Sequence, residues 1–73
     1  MSRASDITHR FGQRVRERRT ALGLSQESFA DKCGLDRAYI GGIERGRRNV
    51  TPRVVEILAQ HLGMSISELT EGL

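Results

Sequence analysis

Residues 26 to 45, QESFADKCGL followed by DRAYIGGIER, read as two short helices joined by a tight turn. Four positions carry that reading. Ala30 falls where two crossing helices leave room only for a small side chain. Gly34 follows the first helix, where a left-handed backbone meets no Cβ clash. Ile40 and Ile43, three apart on the second helix, share one face and point inward. No other stretch of the chain restricts its fold so tightly.

A small residue, a glycine and two aliphatics at this spacing form a helix-turn-helix, in which one helix braces the other against a duplex. The flanking sequence predicts three more helices and no strand. Helix 1 is expected over residues 7–22, with Asp6 as N-cap, Gly23 beyond its end, and Phe11, Val15 and Leu22 as an inward stripe. Helix 2 is capped by Ser25 and stops at Gly34, and helix 3 runs from after Asp36 to Arg45. Thr51 and Pro52 open helix 4, where the missing N–H of proline is no loss, and Leu62 and Gly63 close it. Ser65 and Glu68 have the spacing of a capping box for a short helix 5, about 66–72. Residues 1–6 (MSRASD) are polar and expected to be a flexible N-terminus, leaving 7–73 as a single domain.

Charge placement narrows the function. All twelve basic residues lie in residues 1–53 against six acidic ones, a balance of +6, while residues 54–73 hold three glutamates and no Lys or Arg, a balance of −3. One end of such a molecule is drawn to a polyanion and the other is not. Eleven of the basic residues are Arg, whose planar fork suits phosphates and guanine edges. The run Arg14 to Arg19 by itself also fits a solvated helix face. Cys33 is the sole cysteine, so no disulfide within the chain stabilises a domain this small, which fits a reducing cytoplasm. No apolar run approaches the roughly 18 residues of a membrane span.

The words GLSQE, LDRAYI and IERGRRN place the chain in resemblance to a known family. Over residues 7 to 70 it resembles the lambda-repressor-like regulators, also called Cro/CI or XRE helix-turn-helix proteins. Within them it is most similar to the controller proteins of restriction-modification operons. Small phage-type and antitoxin-like repressors share these words, and a helix-turn-helix used only as a protein–protein adaptor module is the reading from another class. The resemblance implies an all-α, compact five-helix domain with its helix-turn-helix at helices 2 and 3. It also implies a homodimer on palindromic operator sites in double-stranded DNA, either blocking RNA polymerase or recruiting it.

The recognition surface is expected at the N-terminal turn of helix 3, where Arg37, Ala38 and Tyr39 reach base edges. By resemblance, position 42 commonly carries a longer base-reading side chain. Gly42 removes that reach and is expected to let backbone approach the DNA, leaving part of the specificity to DNA shape. Gln26, in the first turn of helix 2, lies where N–H groups favour a phosphate, the role the family gives that glutamine. Arg45, Arg47, Arg48 and Asn49 are candidates for flanking phosphates or the minor-groove edge. The resemblance also implies a partly buried ion pair between Arg19 and Glu44. The sequence departs from its relatives at Arg18, usually aliphatic, and at Leu22, often polar, so the apolar stripe of helix 1 is expected to be slightly rotated. Pro52 and Glu56 depart likewise.

On helix 4, Val55, Leu58, Ala59 and Leu62 are spaced to face the core. Val54, Ile57 and His61 form a second stripe, and Ile66, Leu69 and Leu73 a third row. Leu69 is expected to fold back, leaving Val54, Ile57, His61, Ile66 and Leu73 as the dimer interface. Catalysis is not expected: Cys33 lacks a positioned base, His9 and His61 are far apart in the chain, and the Gly41–Gly42 pair lacks the lysine of a phosphate loop. No cofactor, metal or small-molecule ligand is expected.

Overall fold

The structure, a computed structural model, describes residues 3–73, with side chains described from residue 7 onward. Five helices follow in order: α1 (Arg3–Ala21), α2 (Gln26–Cys33), α3 (Arg37–Glu44), α4 (Pro52–Leu62) and α5 (Ile66–Thr70). No strand occurs among the described residues.

Local chemistry explains most of the boundaries. Ser25 caps α2 by accepting the Ser28 N–H at 3.0 Å, and Gly34 ends it in the left-handed region at φ 70°. The Leu35 N–H then reaches back to the Ala30 carbonyl at 3.0 Å, which closes the turn. Thr51 caps α4 through the Val54 N–H, directly ahead of Pro52. Ser65 and Glu68 exchange both bonds of a capping box. The Ser65 amide and hydroxyl hold the Glu68 carboxyl below the usual carboxylate range.

Several expected boundaries shift. Helix α1 begins at Arg3, so Asp6 lies within it and is not its cap. Nothing in residues 3–5 breaks a helix, since neither Gly nor Pro is present. The expected flexible lead thus has a helical backbone from residue 3, and residues 1 and 2 lie outside the described residues. Helix α3 ends at Glu44 with Arg45 as its cap, and α5 ends at Thr70.

The core takes Phe11 and Val15 from α1, Phe29, Ala30 and Cys33 from α2, and Ile40 and Ile43 from α3. Leu58, Ala59 and Leu62 from α4 and Leu69 from α5 complete it. Val55 is only half-buried at its edge. Burial pushes the Cys33 thiol up to about 11, so it is a packing group rather than a thiolate at neutral pH. Leu22 does not join this core and is 43% exposed. Its N–H still bonds the Arg18 carbonyl at 3.0 Å, but it lies past the last residue of α1, and Gly23 turns the chain directly after it at φ 75°. Of the expected stripe, Phe11 and Val15 are buried and Leu22 is not, so the inward row is shorter than expected. Pro52 and Glu56 are both exposed, leaving the buried face of α4 to its aliphatic residues.

Three α1 arginines fasten the carboxy-terminal half of the chain. Arg18 Nε donates to the Leu62 carbonyl at 3.0 Å, at the end of α4. Arg14 Nη1 donates to the Leu69 carbonyl at 3.2 Å and also to that of Glu71. Arg10 Nη1 reaches the Gly72 carbonyl at 3.4 Å. Spaced four apart, they lie on one face of α1 and place positive charge on carbonyls at the ends of α4 and α5 and just beyond α5.

Candidate nucleic-acid interface

Helix α3 owes its position to a close crossing with α1. A Cβ at Gly12 would stand 2.1 Å from the Ile43 carbonyl oxygen and 2.9 Å from that of Glu44, so the two backbones touch there. A second contact follows in the loop after α3. Gly46, at φ 74°, would put a Cβ 2.8 Å from His9 Cα, and the Thr8 hydroxyl donates to the Gly46 carbonyl at 3.4 Å. Helix α1 thereby holds both α3 and the basic loop behind it.

One carboxylate joins three helices beneath this surface. Glu44 is 5% exposed and Arg19 8%. The guanidinium donates from Nε to Oε2 at 2.6 Å and from Nη2 to Oε1 at 2.9 Å, the two-pronged geometry of a strong pair. Arg19 Nη1 also donates to the Leu24 carbonyl at 2.6 Å. The bond to Glu44 raises the Arg19 pKa still further above its ordinary value, against the opposing effect of burial. Gln26 Nε2 donates to the same Oε1 at 3.1 Å. No buried side-chain nitrogen or oxygen among the described residues lacks a partner.

Above that network, Arg37 and Ala38 are exposed on the first turn of α3, and Tyr39 is half-buried and packed against the core. Arg45, Arg47, Arg48 and Asn49 are exposed around them. The Arg48 guanidinium lies 5.7 Å from the centre of the Tyr39 ring, within cation–π range. Gly41 and Gly42 are not open backbone. Both are buried, because arginine side chains occupy the space their own side chains would fill. A Cβ at Gly42 would stand 3.0 Å from Arg48 Cγ, and one at Gly41 3.1 Å from Arg45 Nη1.

The expected candidates therefore divide. Arg37, Ala38 and Tyr39 lie on α3, Gln26, Arg45 and Arg48 are close to its glycines, Arg47 bonds the Gly42 carbonyl through its backbone N–H, and Gly42 sits under Arg48; Asn49 is exposed farther along the loop. The run Arg14 to Arg19 is split, with Arg14, Arg18 and Arg19 turned to internal partners and Arg16 exposed. On α4, α5 and the residues after them, Val54, Ile57, His61 and Leu73 are half-buried and Ile66 is 48% exposed. His61 Nδ1 donates to the Ile57 carbonyl at 3.0 Å, which ties that ring nitrogen within α4. An apolar groove of about 440 Å³ brings Ile7, Phe11, Val50, Val55 and Leu73 together, with Arg48 and Asn49 of the basic loop also lining it. Its walls come from distant parts of the chain, and no local pattern announces it. The Gly12 crossing also escapes a reading of periodicity, although a glycine in the middle of an otherwise strong helix marks a close approach.

A short helix held outward by a buried ion pair, with its first turn exposed and guanidinium groups on either side, defines a duplex-reading module. The chain belongs to the helix-turn-helix family of DNA-binding transcription regulators, whose profile matches residues 15–69. It is 44% identical over 66 residues to the control protein C.MunI of a Mycoplasma species, an alignment covering 89% of each chain. The crystal structure of the restriction-modification controller protein C.AhdI from Aeromonas hydrophila superposes with a TM-score of 0.82 at 53% identity, covering 85% of this chain and 94% of that one. SinR, the master regulator for biofilm formation, in complex with DNA, gives a TM-score of 0.79 at 29% identity over 84% of this chain and 98% of that one. No helix among the described residues is long and apolar enough to cross a membrane.

Proposed function

We infer that the chain is a controller-type transcription regulator that binds palindromic operator DNA as a homodimer and sets the expression of a restriction-modification operon. The observation that carries this is the exposed first turn of α3, with Arg37 and Ala38 uncovered and Arg45, Arg47 and Arg48 around it. The likeness to control proteins along nearly their whole length supports the operon. In this reading Arg37 pairs with a guanine edge, Ala38 meets a thymine methyl and Tyr39 lies along the sugar-phosphate edge. Gln26, Arg45, Arg47, Arg48 and Asn49 hold the flanking backbone. Two such modules reach half-sites about one helical turn apart when the subunits pair through Val54, Ile57, His61, Ile66 and Leu73. The protein acts in the cytoplasm, with no catalytic step and no cofactor, and its effect on RNA polymerase follows from where the operator lies.

Binding to a duplex selected from a randomised library, measured over a range of salt, tests the interface. Arg48→Ala weakens all duplexes alike and flattens the slope of log K against log salt by about one unit. Arg37→Ala instead relaxes preference at one base position, a discrimination of about 1–3 kcal/mol. An unchanged salt slope in the first variant, or an equal loss on every sequence in the second, removes that residue from its assigned role.

The dimer has its own test. Sedimentation at micromolar concentration gives a species of twice the 8.2 kDa chain mass, and Ile66→Asp shifts it to monomer while leaving the helical content intact. A wild-type monomer under those conditions would exclude this surface as an interface.

A further inference from the structure

We propose that Glu44 is a positioning residue for the DNA-facing surface: by accepting the Gln26 amide N–H it orients Gln26 as well as neutralising Arg19. The proposal rests on the reading above that Gln26 meets DNA. A carboxylate oxygen can only accept, so Glu44 Oε1 compels the amide to turn its nitrogen inward, where Nε2 donates at 3.1 Å. The amide carbonyl is thereby turned the other way. Gln26 Oε1 lies 3.6 Å from the place of a Cβ on Gly41, and Arg45 Nη1 lies 3.1 Å from the same point. The acceptor oxygen of α2 and the guanidinium that follows α3 thus flank one missing side chain.

This arrangement sorts the three polar groups of Gln26. One N–H is held by Glu44, and the second remains as a donor suited to a phosphate oxygen. The carbonyl faces the side of α3 where Arg45 lies, as an acceptor that repels phosphate. A glutamine rotating without restraint presents its oxygen to the phosphate half the time and loses side-chain entropy on binding. Glu44 removes both penalties before the DNA arrives. Arg19 in turn holds Glu44 by two bonds, so the ion pair that joins α1 to α3 also sets a contact on α2. Gly41 belongs to the same device, since a side chain there would enter the space between Gln26 and Arg45.

A double-mutant cycle separates positioning from stability. The paired apolar replacement Arg19→Met with Glu44→Leu strands no charge, so it is expected to fold with nearly wild-type stability. On the selected duplex, Gln26→Ala weakens binding about tenfold in the wild-type background. The paired replacement weakens it by about the same factor, and adding Gln26→Ala to that background changes nothing further. Full affinity in the paired replacement, or an undiminished tenfold cost of Gln26→Ala within it, overturns the positioning role and leaves Gln26 at the interface. No effect of Gln26→Ala in the wild type removes Gln26 from the interface, and the proposal falls with that reading. Side-chain amide hydrogen exchange in the free wild-type protein provides a check that needs no variant to fold. One Gln26 N–H is protected relative to the exposed Gln13 and Gln60, and equal exchange in all three overturns the proposal.

Discussion

Replacing Glu44 by alanine is expected to cost about 3–5 kcal/mol of folding stability, because it strands the Arg19 guanidinium in the interior. Arg19 is 8% exposed, and its Nε and Nη2 donors both end on Glu44. Its remaining bond to the Leu24 carbonyl does not neutralise the charge. The loss is a large share of the roughly 5–15 kcal/mol that holds a domain of this kind together. Thermal unfolding followed by circular dichroism should show a midpoint lowered by about 15 °C or more. A midpoint within a few degrees of wild type would mean that the pair is solvated. Arg19→Met in the same background should recover most of the loss, which separates a stranded charge from a loss of packing volume.

The second large effect has the opposite sign to what helix propensity alone suggests. Gly12→Ala in a mid-helix position ought to stabilise by about 1 kcal/mol on propensity. Here the new Cβ would stand 2.1 Å from the Ile43 carbonyl oxygen, and both groups belong to helix backbones that cannot turn aside. The helices must separate at their closest crossing, at an expected cost of about 3 kcal/mol or more. Because α3 is carried on that crossing, operator binding should fall with the stability. Gly23→Ala is the control. Its Cβ meets nothing within 4 Å and only the left-handed backbone at φ 75° opposes it, a penalty of about 1–2 kcal/mol. Denaturant midpoints for the two variants give the comparison, and a stabilised Gly12→Ala would refute the close crossing.

Both effects concern contacts of unequal legibility. The Arg19–Glu44 pair follows from the family resemblance alone, and nothing in the spacing of two residues 25 positions apart demands it. Gly12 is silent in the apolar periodicity of helix 1, since a glycine adds nothing to that stripe. The same periodicity points Leu22 inward, yet it is exposed, one residue past the end of α1. The run Arg14 to Arg19 by itself fits a solvated helix face, yet Arg14 and Arg18 end on carbonyls of α5 and α4. A long flexible side chain takes its partner from whatever packing brings near, and its place in the sequence does not reveal that partner.

What the chain announces unaided is its punctuation. Ser25, Gly34, Thr51 with Pro52, Gly63, and Ser65 with Glu68 mark helix ends through bonds spanning three to five residues. The inward faces of α2, α3 and α4 follow from a period of similar reach, and bonds that short are settled wherever the segment finds itself. Tertiary structure alone decided which arginines face outward, how Gln26 turns, where glycine is compulsory and that a groove opens beside Leu73. Those outcomes depend on groups up to 62 residues apart in the chain, which meet only once the core has set the helices against one another.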